Sequence, residues 1–238
     1  MGLSASQASK HEFGKEEDWP WIWAIRDAEI LDWRLSVPQD QHVEFSGRHA
    51  NLPVEIQPHL FLGDAKCARN MERISALGIT HIINAGGPAA RGVAADYSSQ
   101  GITVLEFDAE DEDGYPMLDN HLDNARAFIA SAKGSGGKCL VHCVAGINRS
   151  GVLVAAEKML SDRTMVLETV AHCRRCRGNA YLWNHGFQEQ LVSLARREVL
   201  LGPKPGETGS LVIQVPPPLA AHPLTPKPSA KDALSRLA

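Results

Sequence analysis

From Val54 to about residue 200, short runs of β-branched residues alternate with longer stretches whose apolar side chains recur at helical spacing. The short runs predict four strands, at Val54–Leu62, Ile79–Asn84, Ile102–Phe107 and Cys139–His142. Strands that alternate with helices pair in parallel, because each helix carries the chain back across the sheet. The pattern therefore predicts an α/β fold with a mostly parallel central sheet flanked by helices.

The helical stretches of this region have recognisable ends. Asp64 is placed to cap a helix that runs to Leu77, and Gly78 ends that helix. Pro58 limits the first predicted strand to a sheet edge or a bulge, because proline cannot donate a ladder hydrogen bond. Further helices are predicted at 118–132, 149–161, 165–176 and 184–200.

The two ends of the chain differ from this region. Residues 1–50 form an extension that contains tryptophan and is partly helical, since one apolar face is predicted from Trp21, Ala24, Ile25, Ala28, Leu31 and Leu35. We expect this helix to pack on the main domain at 51–200. Eight of the 14 prolines follow Gly202, so residues 201–238 are predicted to be a disordered, proline-rich tail.

Composition narrows the cellular context. The net charge of −4 gives no general electrostatic reason to bind nucleic acid or an anionic membrane. The sequence contains no run of 18 apolar residues and no secretory signal. Its five cysteines, an odd number, do not resemble a disulfide framework, so reduced thiols are expected. We therefore expect a soluble cytoplasmic protein, with nuclear or peripheral membrane association as alternatives.

Two terminal features bear on partners. The first six residues match the pattern for myristoylation at Gly2, but one acyl chain without a basic patch gives only weak, reversible membrane contact. The proline-rich tail is interpreted as a solubilising segment, with a ligand for a proline-binding partner as the alternative.

The segment that most constrains the function lies between residues 141 and 151, where the last predicted strand passes into a helix. Backbone N–H groups at such a turn point inward and bind anions, and the start of the helix adds positive potential. Gly146 permits turn conformations that are closed to other residues. Cys143 lies at the mouth of this turn, where its thiolate is favoured, and the guanidinium of Arg149 can hold two phosphate oxygens. Phosphoryl transfer at such a site needs no metal and no cofactor.

Residues 142–151 form a Cys-x5-Arg loop that reads His142-Cys143-Val144-Ala145-Gly146-Ile147-Asn148-Arg149-Ser150-Gly151. This loop resembles the signature of the cysteine-based protein phosphatases, and among them the atypical small dual-specificity branch. Leu60–Ala65 and Leu77–Asn84 are similar to the start of that domain, and Asn184–Leu191 is similar to its final helix. The resemblance covers about residues 52–198, and it implies that 51–200 is a catalytic domain with a protein tyrosine phosphatase-like fold.

The resemblance also implies residue roles. Cys143 attacks phosphorus and forms a cysteinyl-phosphate, Ser150 eases departure of the sulfur, and His142 holds the loop. Arg149 binds the phosphoryl oxygens together with the backbone of Val144, Ala145, Gly146, Ile147 and Asn148. A general acid is required as well, because an alkoxide leaves poorly without a proton. Asp111 matches the family's acid in its Ala-x-Asp setting, and Asp113 is the rival.

The substrate class follows from the loop side chains. Residues 144–148 carry no charged side chain, whereas relatives that act on phosphoinositides or RNA tend to carry extra Lys or Arg there. We therefore expect a phosphoprotein substrate and leave phosphotyrosine, phosphoserine and phosphothreonine open. The alternatives are a catalytically inactive relative that binds phosphoproteins, and a scaffold that acts through its terminal segments. Cys173 and Cys176 are interpreted as structural thiols within a helix.

Overall fold

A computed structural model describes residues 14–26, 52–91, 94–178 and 181–206. Its centre is a five-stranded sheet made of β1 (Val54–Gln57), β2 (Leu60–Asp64), β3 (Ile79–Asn84), β4 (Thr103–Glu106) and β5 (Lys138–Cys143). The spatial order is β1-β2-β5-β3-β4. The β1–β2 pair is antiparallel and the other three pairs are parallel. The predicted mostly parallel sheet is confirmed.

Helices cover the sheet. In the described residues they are α1 (19–26), α2 (Ala65–Ala68), α3 (Met71–Leu77), α4 (Ala94–Ser99), α5 (Met117–Gly134), α6 (Arg149–Asp162), α7 (Val166–Arg177) and α8 (His185–Arg197). Single 3-10 turns lie at Glu16–Asp18 and Gly87–Ala90. None of these helices combines the length and the apolar character needed to cross a bilayer.

Two sequence predictions about the start of the domain were wrong in detail. The strand expected at Val54–Leu62 is a hairpin, because Pro58 lies in the turn between β1 and β2. The helix expected from Asp64 to Leu77 is two helices. The side chain of Asp64 caps the first as predicted, but the side chain of Asn70 accepts from the N–H of Arg73 at 3.0 Å and starts the second. Gly78 ends the second helix at φ 69°, as expected.

The sheet buries apolar side chains on both faces, and strand alternation decides which face each one meets. On β5, Cys139 and Val141 belong to the larger core under α5–α8, whereas Leu140 belongs to a smaller core under α2–α4. Each fully buried aliphatic side chain contributes roughly 1.5–3 kcal/mol. The central strand β5 is thus fixed from both sides, and so is the position of the residue at its end.

The N-terminal extension packs on the domain where it is described. Trp21 and Ile25 are buried in the larger core, which confirms the predicted packing for these two members of the apolar face. Arg196 of α8 donates through Nε to Asp18 Oδ1 at 2.7 Å, and Asp18 itself is buried. The other predicted members beyond residue 26, and the predicted tail beyond residue 206, lie outside the described residues.

Candidate active site

The turn between β5 and α6 is anchored at its entry by both neighbouring strands. Cys143 is the last residue of β5, and it lies opposite Asp64 at the end of β2. Just past β2, the N–H of Ala65 donates to the carbonyl of Val144 at 3.1 Å. Past β3, the N–H of Ala85 donates to the carbonyl of His142 at 2.7 Å. The residues 143–149, called the cysteine loop below, therefore leave the sheet in a fixed direction.

The sulfur of Cys143 faces the inside of this loop. It accepts hydrogen bonds from the N–H of Gly146 at 3.3 Å and from the hydroxyl of Ser150 at 3.2 Å. Cys143 is 1% exposed, and α6 begins only six residues later. Two hydrogen-bond donors and the positive end of a helix thus act on one sulfur.

Gly146 lies where the loop passes closest to the sheet. Its φ is +66°, and a Cβ at this position would be 2.4 Å from the carbonyl oxygen of Gly63 in β2. Side chains rarely adopt that φ, and the backbone oxygen of a core strand cannot move aside. The expected role of Gly146 in the turn is therefore matched by a second requirement, the close approach of two backbones.

A buried arginine supports the loop from below. Arg177, at the end of α7, donates through Nε to the carbonyl of Gly146 at 2.9 Å and through Nη2 to the carbonyl of Ala145 at 3.0 Å. A trans peptide points its C=O and the next N–H in opposite directions. The N–H groups of Gly146 and Ile147 are consequently turned away from Arg177, and the first of them meets the sulfur of Cys143.

Arg177 was missed in the sequence analysis. It is 1% exposed, and burial lowers the pKa of its guanidinium although Asp64 and Cys143 lie close enough to oppose the shift. The sequence could have indicated its burial, because Val170, Cys173 and Arg177 recur at helical spacing on the buried face of α7. A charged residue in a core position requires an internal partner.

The far end of the loop is tied to the start of α8. Asn148 Oδ1 accepts from the N–H of Trp183 at 2.8 Å and from the N–H of Asn184 at 3.1 Å. The N–H of Leu182 donates to the carbonyl of Ile147 at 3.2 Å. The segment before α8 therefore follows the rim of the cysteine loop.

Residues 107–116, called the acid loop below, connect β4 to α5 without regular structure. In this loop Asp111 Oδ2 lies 3.5 Å from Nε of Arg149, and Asp111 Oδ1 accepts from Nδ2 of Asn184 at 3.2 Å. Arg149 also donates through Nη1 to the carbonyl of Ala109 at 3.2 Å. The structure thus brings Asp111 and Arg149 together, 38 positions apart in the chain.

The other acid-loop aspartates are placed differently. Asp113 Oδ1 accepts from the backbone N–H groups of His185 at 3.2 Å and Gly186 at 3.4 Å, so it caps α8. A Cβ on Gly186 would lie 1.7 Å from the carbonyl oxygen of Asp113, which shows how closely α8 approaches the acid loop. Asp108 is exposed, and its carbonyl accepts from the hydroxyl of Tyr115 at 3.4 Å.

His142 is buried beside the cysteine loop. It is 1% exposed, and its Nδ1 donates to the carbonyl of Cys143 at 3.3 Å. Burial is the main reason that the pKa of His142 falls from 6.5 to about 4. The ring is therefore neutral at physiological pH and holds the backbone of Cys143.

Together these residues form a site for attack by sulfur on an anionic centre. A sulfur that accepts two hydrogen bonds, one of them from a loop amide, lies in the loop, and the loop ends at a guanidinium that contacts a carboxylate. Fixed donors of this kind stabilise the charge that spreads over phosphoryl oxygens in a transition state.

The comparisons with known proteins agree with this chemistry. The sequence model of a family described as "Dual specificity phosphatase, catalytic domain" matches residues 60–197. Human dual specificity protein phosphatase 26 is 36% identical over 165 residues, which cover 68% of this chain and 77% of that protein. Human dual specificity protein phosphatase 13B is 33% identical over 149 residues, which cover 60% of this chain and 72% of that protein.

Solved structures give the same result. The crystal structure of DUSP15 superposes with a TM-score of 0.53 at 28% sequence identity, over 60% of this chain and 92% of that chain. The family match alone spans more than half of the 238 residues. The chain therefore belongs to the dual specificity phosphatases, the cysteine-based protein phosphatases that its Cys-x5-Arg loop resembles.

Proposed function

We propose that this protein phosphatase uses Cys143 as its nucleophile and Arg149 as its phosphate-binding side chain, with Asp111 as its general acid and base. The observation that carries the proposal is the pair of hydrogen bonds that the sulfur of Cys143 accepts from Gly146 and Ser150. A sulfur held as an acceptor is prepared to attack, whereas a sulfur that donates is not. The substrate is a phosphorylated protein.

The first step transfers the phosphoryl group to the enzyme. The sulfur of Cys143 attacks phosphorus, the bond from phosphorus to the leaving oxygen breaks, and protonated Asp111 gives that oxygen its proton. The guanidinium of Arg149 and the loop amides hold the three other oxygens while their charge changes. The contact of Arg149 with Asp111 supports this division, because it holds the acid beside the side chain that binds the phosphoryl oxygens.

The second step releases phosphate. Water attacks the phosphorus of the cysteinyl-phosphate, the S–P bond breaks, and the carboxylate of Asp111 takes the proton from water. The hydroxyl of Ser150, which lies 3.2 Å from the sulfur, donates to the departing thiolate. His142 keeps the backbone of Cys143 in place through its ring N–H.

The decisive test is Cys143→Ser in the full chain, assayed with an aryl phosphate in the presence of a chelator. We expect turnover to fall by at least about 10³-fold, because the nucleophile is removed, while a phosphopeptide still binds. Cys176→Ser is the matched control, since this thiol lies on α7 and contacts His172. Unchanged turnover by the Cys143 variant, or loss of wild-type turnover on chelation, contradicts the mechanism.

The same assay separates the alternative function. A catalytically inactive relative that serves as an interaction module would bind phosphopeptide without turnover in the wild-type form. The presence of Cys143, Arg149 and Asp111 in one site supports the enzyme.

Four further proposals concern the domain organisation, the location and the two ends of the chain. The division into an extension at 1–50, a catalytic domain at 51–200 and a tail at 201–238 stays a prediction. A cytoplasmic location is supported by five free cysteines, which suit a reducing compartment. Myristoylation of Gly2 and a proline-binding partner of the tail are predictions about residues outside the described ranges.

A further inference from the structure

A large aromatic side chain is exposed beside the site. Trp183 is 49% exposed, whereas Leu182 directly before it is 0% exposed. Leu182 has φ +58°, a left-handed conformation that is unusual for a branched side chain. This backbone turn places Leu182 in the core and its neighbour Trp183 at the surface. Strained residues of this kind concentrate at functional sites.

The position of Trp183 is fixed by both parts of the site. Its N–H donates to Asn148 of the cysteine loop at 2.8 Å. The next residue, Asn184, donates to Asn148 through its backbone and to Asp111 of the acid loop through its side chain. Trp183 therefore stands on the rim between the loop that holds the nucleophile and the loop that carries the acid.

A second apolar side chain is exposed at the other end of the cysteine loop. Val144 is 45% exposed, and its backbone contacts Ala65 and Gly86 on the β2 and β3 side. Asn148, which holds Trp183, lies at the opposite end of the loop. The intervening residues 145–147 carry no charged side chain. An exposed aromatic side chain thus lies at one end of the cysteine loop and an exposed aliphatic side chain at the other.

We propose that Trp183 is the aromatic wall of a substrate subsite that accepts the ring of phosphotyrosine, with Val144 on the opposite side. The proposal rests on the function assigned to Cys143 above. In phosphotyrosine a flat ring follows the phosphate directly, so the ring lies at the rim when phosphorus meets the sulfur. Indole faces stack on such rings, whereas the short side chains of phosphoserine and phosphothreonine end below the rim and gain no such contact. The subsite therefore selects phosphotyrosine.

The test uses two phosphopeptides that are identical except for phosphotyrosine or phosphothreonine at one position. The wild-type chain is compared with Trp183→Ala and Trp183→Phe, and Trp23→Ala is the matched control because Trp23 is 51% exposed on α1. For Trp183→Ala we expect kcat/KM on the phosphotyrosine peptide to fall roughly tenfold, mainly through KM, from lost stacking. The value for the phosphothreonine peptide should stay within about twofold, and Trp183→Phe should recover most of the loss.

The outcomes separate the subsite from the catalytic function. An equal loss on both peptides would mean that Trp183 only supports the loop, and no loss would mean that the ring of the substrate lies elsewhere. Either result overturns the subsite. The proposed function fails on a different readout, namely phosphate release from neither peptide by the wild-type chain. The same comparison can be made without turnover. The affinities for the two peptides are measured with Cys143→Ser and with the double variant Cys143→Ser, Trp183→Ala, and the change between the variants should be confined to the phosphotyrosine peptide.

Discussion

The cysteine loop and the acid loop meet at one site but are held in opposite ways. The cysteine loop rests on buried groups, with Arg177 beneath two of its carbonyls and the side chain of Ser150 inside it. The acid loop is exposed at Asp111 and Asp113, and both carboxylates bind the start of α8 from the outside. Buried supports fix geometry, whereas a few exposed hydrogen bonds permit local opening. The proposed nucleophile is thus preorganised, and the proposed acid is placed by a contact that solvent can reach.

The start of α8 couples the two loops. Asn184 donates to Asn148 of the cysteine loop and to Asp111 of the acid loop. Gly186 approaches the backbone of Asp113 too closely to carry any side chain. Arg149 adds a direct link through Asp111. Asp111 and the cysteine loop are therefore joined both through the start of α8 and through Arg149.

The largest of three expected effects is a loss of kcat in the variant Asp111→Asn. The amide keeps the size of the carboxylate but cannot protonate the leaving oxygen, so kcat should fall by roughly 10²–10⁴-fold. The measurement is kcat for a series of aryl phosphates whose phenols differ in acidity. The loss should shrink as the phenol becomes a better leaving group, because less proton donation is then needed.

Asp113→Asn is the matched control for that prediction. The carboxylate of Asp113 accepts two backbone N–H bonds at the start of α8, and asparagine caps helices about as well as aspartate. Its kcat should therefore stay near the wild-type value. A larger loss for Asp113→Asn than for Asp111→Asn would reassign the acid and show that the comparison of the two carboxylates was wrong.

The next effect in size is expected from Arg177→Met. Methionine fills similar space but leaves the carbonyl of buried Gly146 and the carbonyl of the more exposed Ala145 without their charged donor. Two such hydrogen bonds correspond to roughly 3–5 kcal/mol of the free energy of unfolding. Urea denaturation would measure this loss.

The control for Arg177→Met is Arg175→Met, which changes an exposed residue of the same helix and should alter stability by less than about 0.5 kcal/mol. Turnover by Arg177→Met should fall as well, since the N–H of Gly146 is no longer held toward the sulfur. Equal stability of the two variants would show that the buried support contributes nothing.

The features that could be predicted from the sequence are those that depend on residues close together in the chain. β3 and β5 have six residues each and are rich in β-branched and apolar side chains, so the sequence pattern predicted both strands. His142, Cys143, Arg149 and Ser150 lie within nine consecutive residues, and the turn that joins them is written in one motif. The break between α2 and α3 was missed because a helical apolar pattern continued past Asn70. The side chain of Asn70 caps α3 and thereby starts a new helix there.

The remaining features depend on contacts between distant residues. Arg177 reaches Gly146 across 31 positions, and Asp111 meets Asn184 across 73. Asp111 and Asp113 are two positions apart in one charged loop, so sequence alone could not separate an acid near Arg149 from a helix cap. In the folded chain, the contact of Asp111 with Arg149 distinguishes it from Asp113, which binds the backbone at the start of α8.

The smallest of the three effects concerns pH and separates two histidines, one beside each loop. Burial lowers the pKa of His142 in the folded chain to about 4 from 6.5, so the unfolded chain binds the proton more tightly. The neutral, buried ring of His142 therefore contributes to the free energy of unfolding in full above pH 6.5. This contribution, about 3 kcal/mol, is lost as the pH falls from 6.5 to 4. His142→Gln should flatten the curve of unfolding free energy against pH in that window.

His121 supplies the counterpart at the acid loop. Its Nε2 lies 2.6 Å from the hydroxyl of Tyr115, and burial lowers its pKa too, although the ring is only half-buried. His121→Gln should therefore flatten the curve less than His142→Gln does, since a more exposed ring loses less hydration on folding. The measurement is chemical denaturation of both variants and the wild-type chain at several values between pH 4 and pH 7. An equal or larger change for His121→Gln would show that the cysteine loop is no more deeply supported than the acid loop.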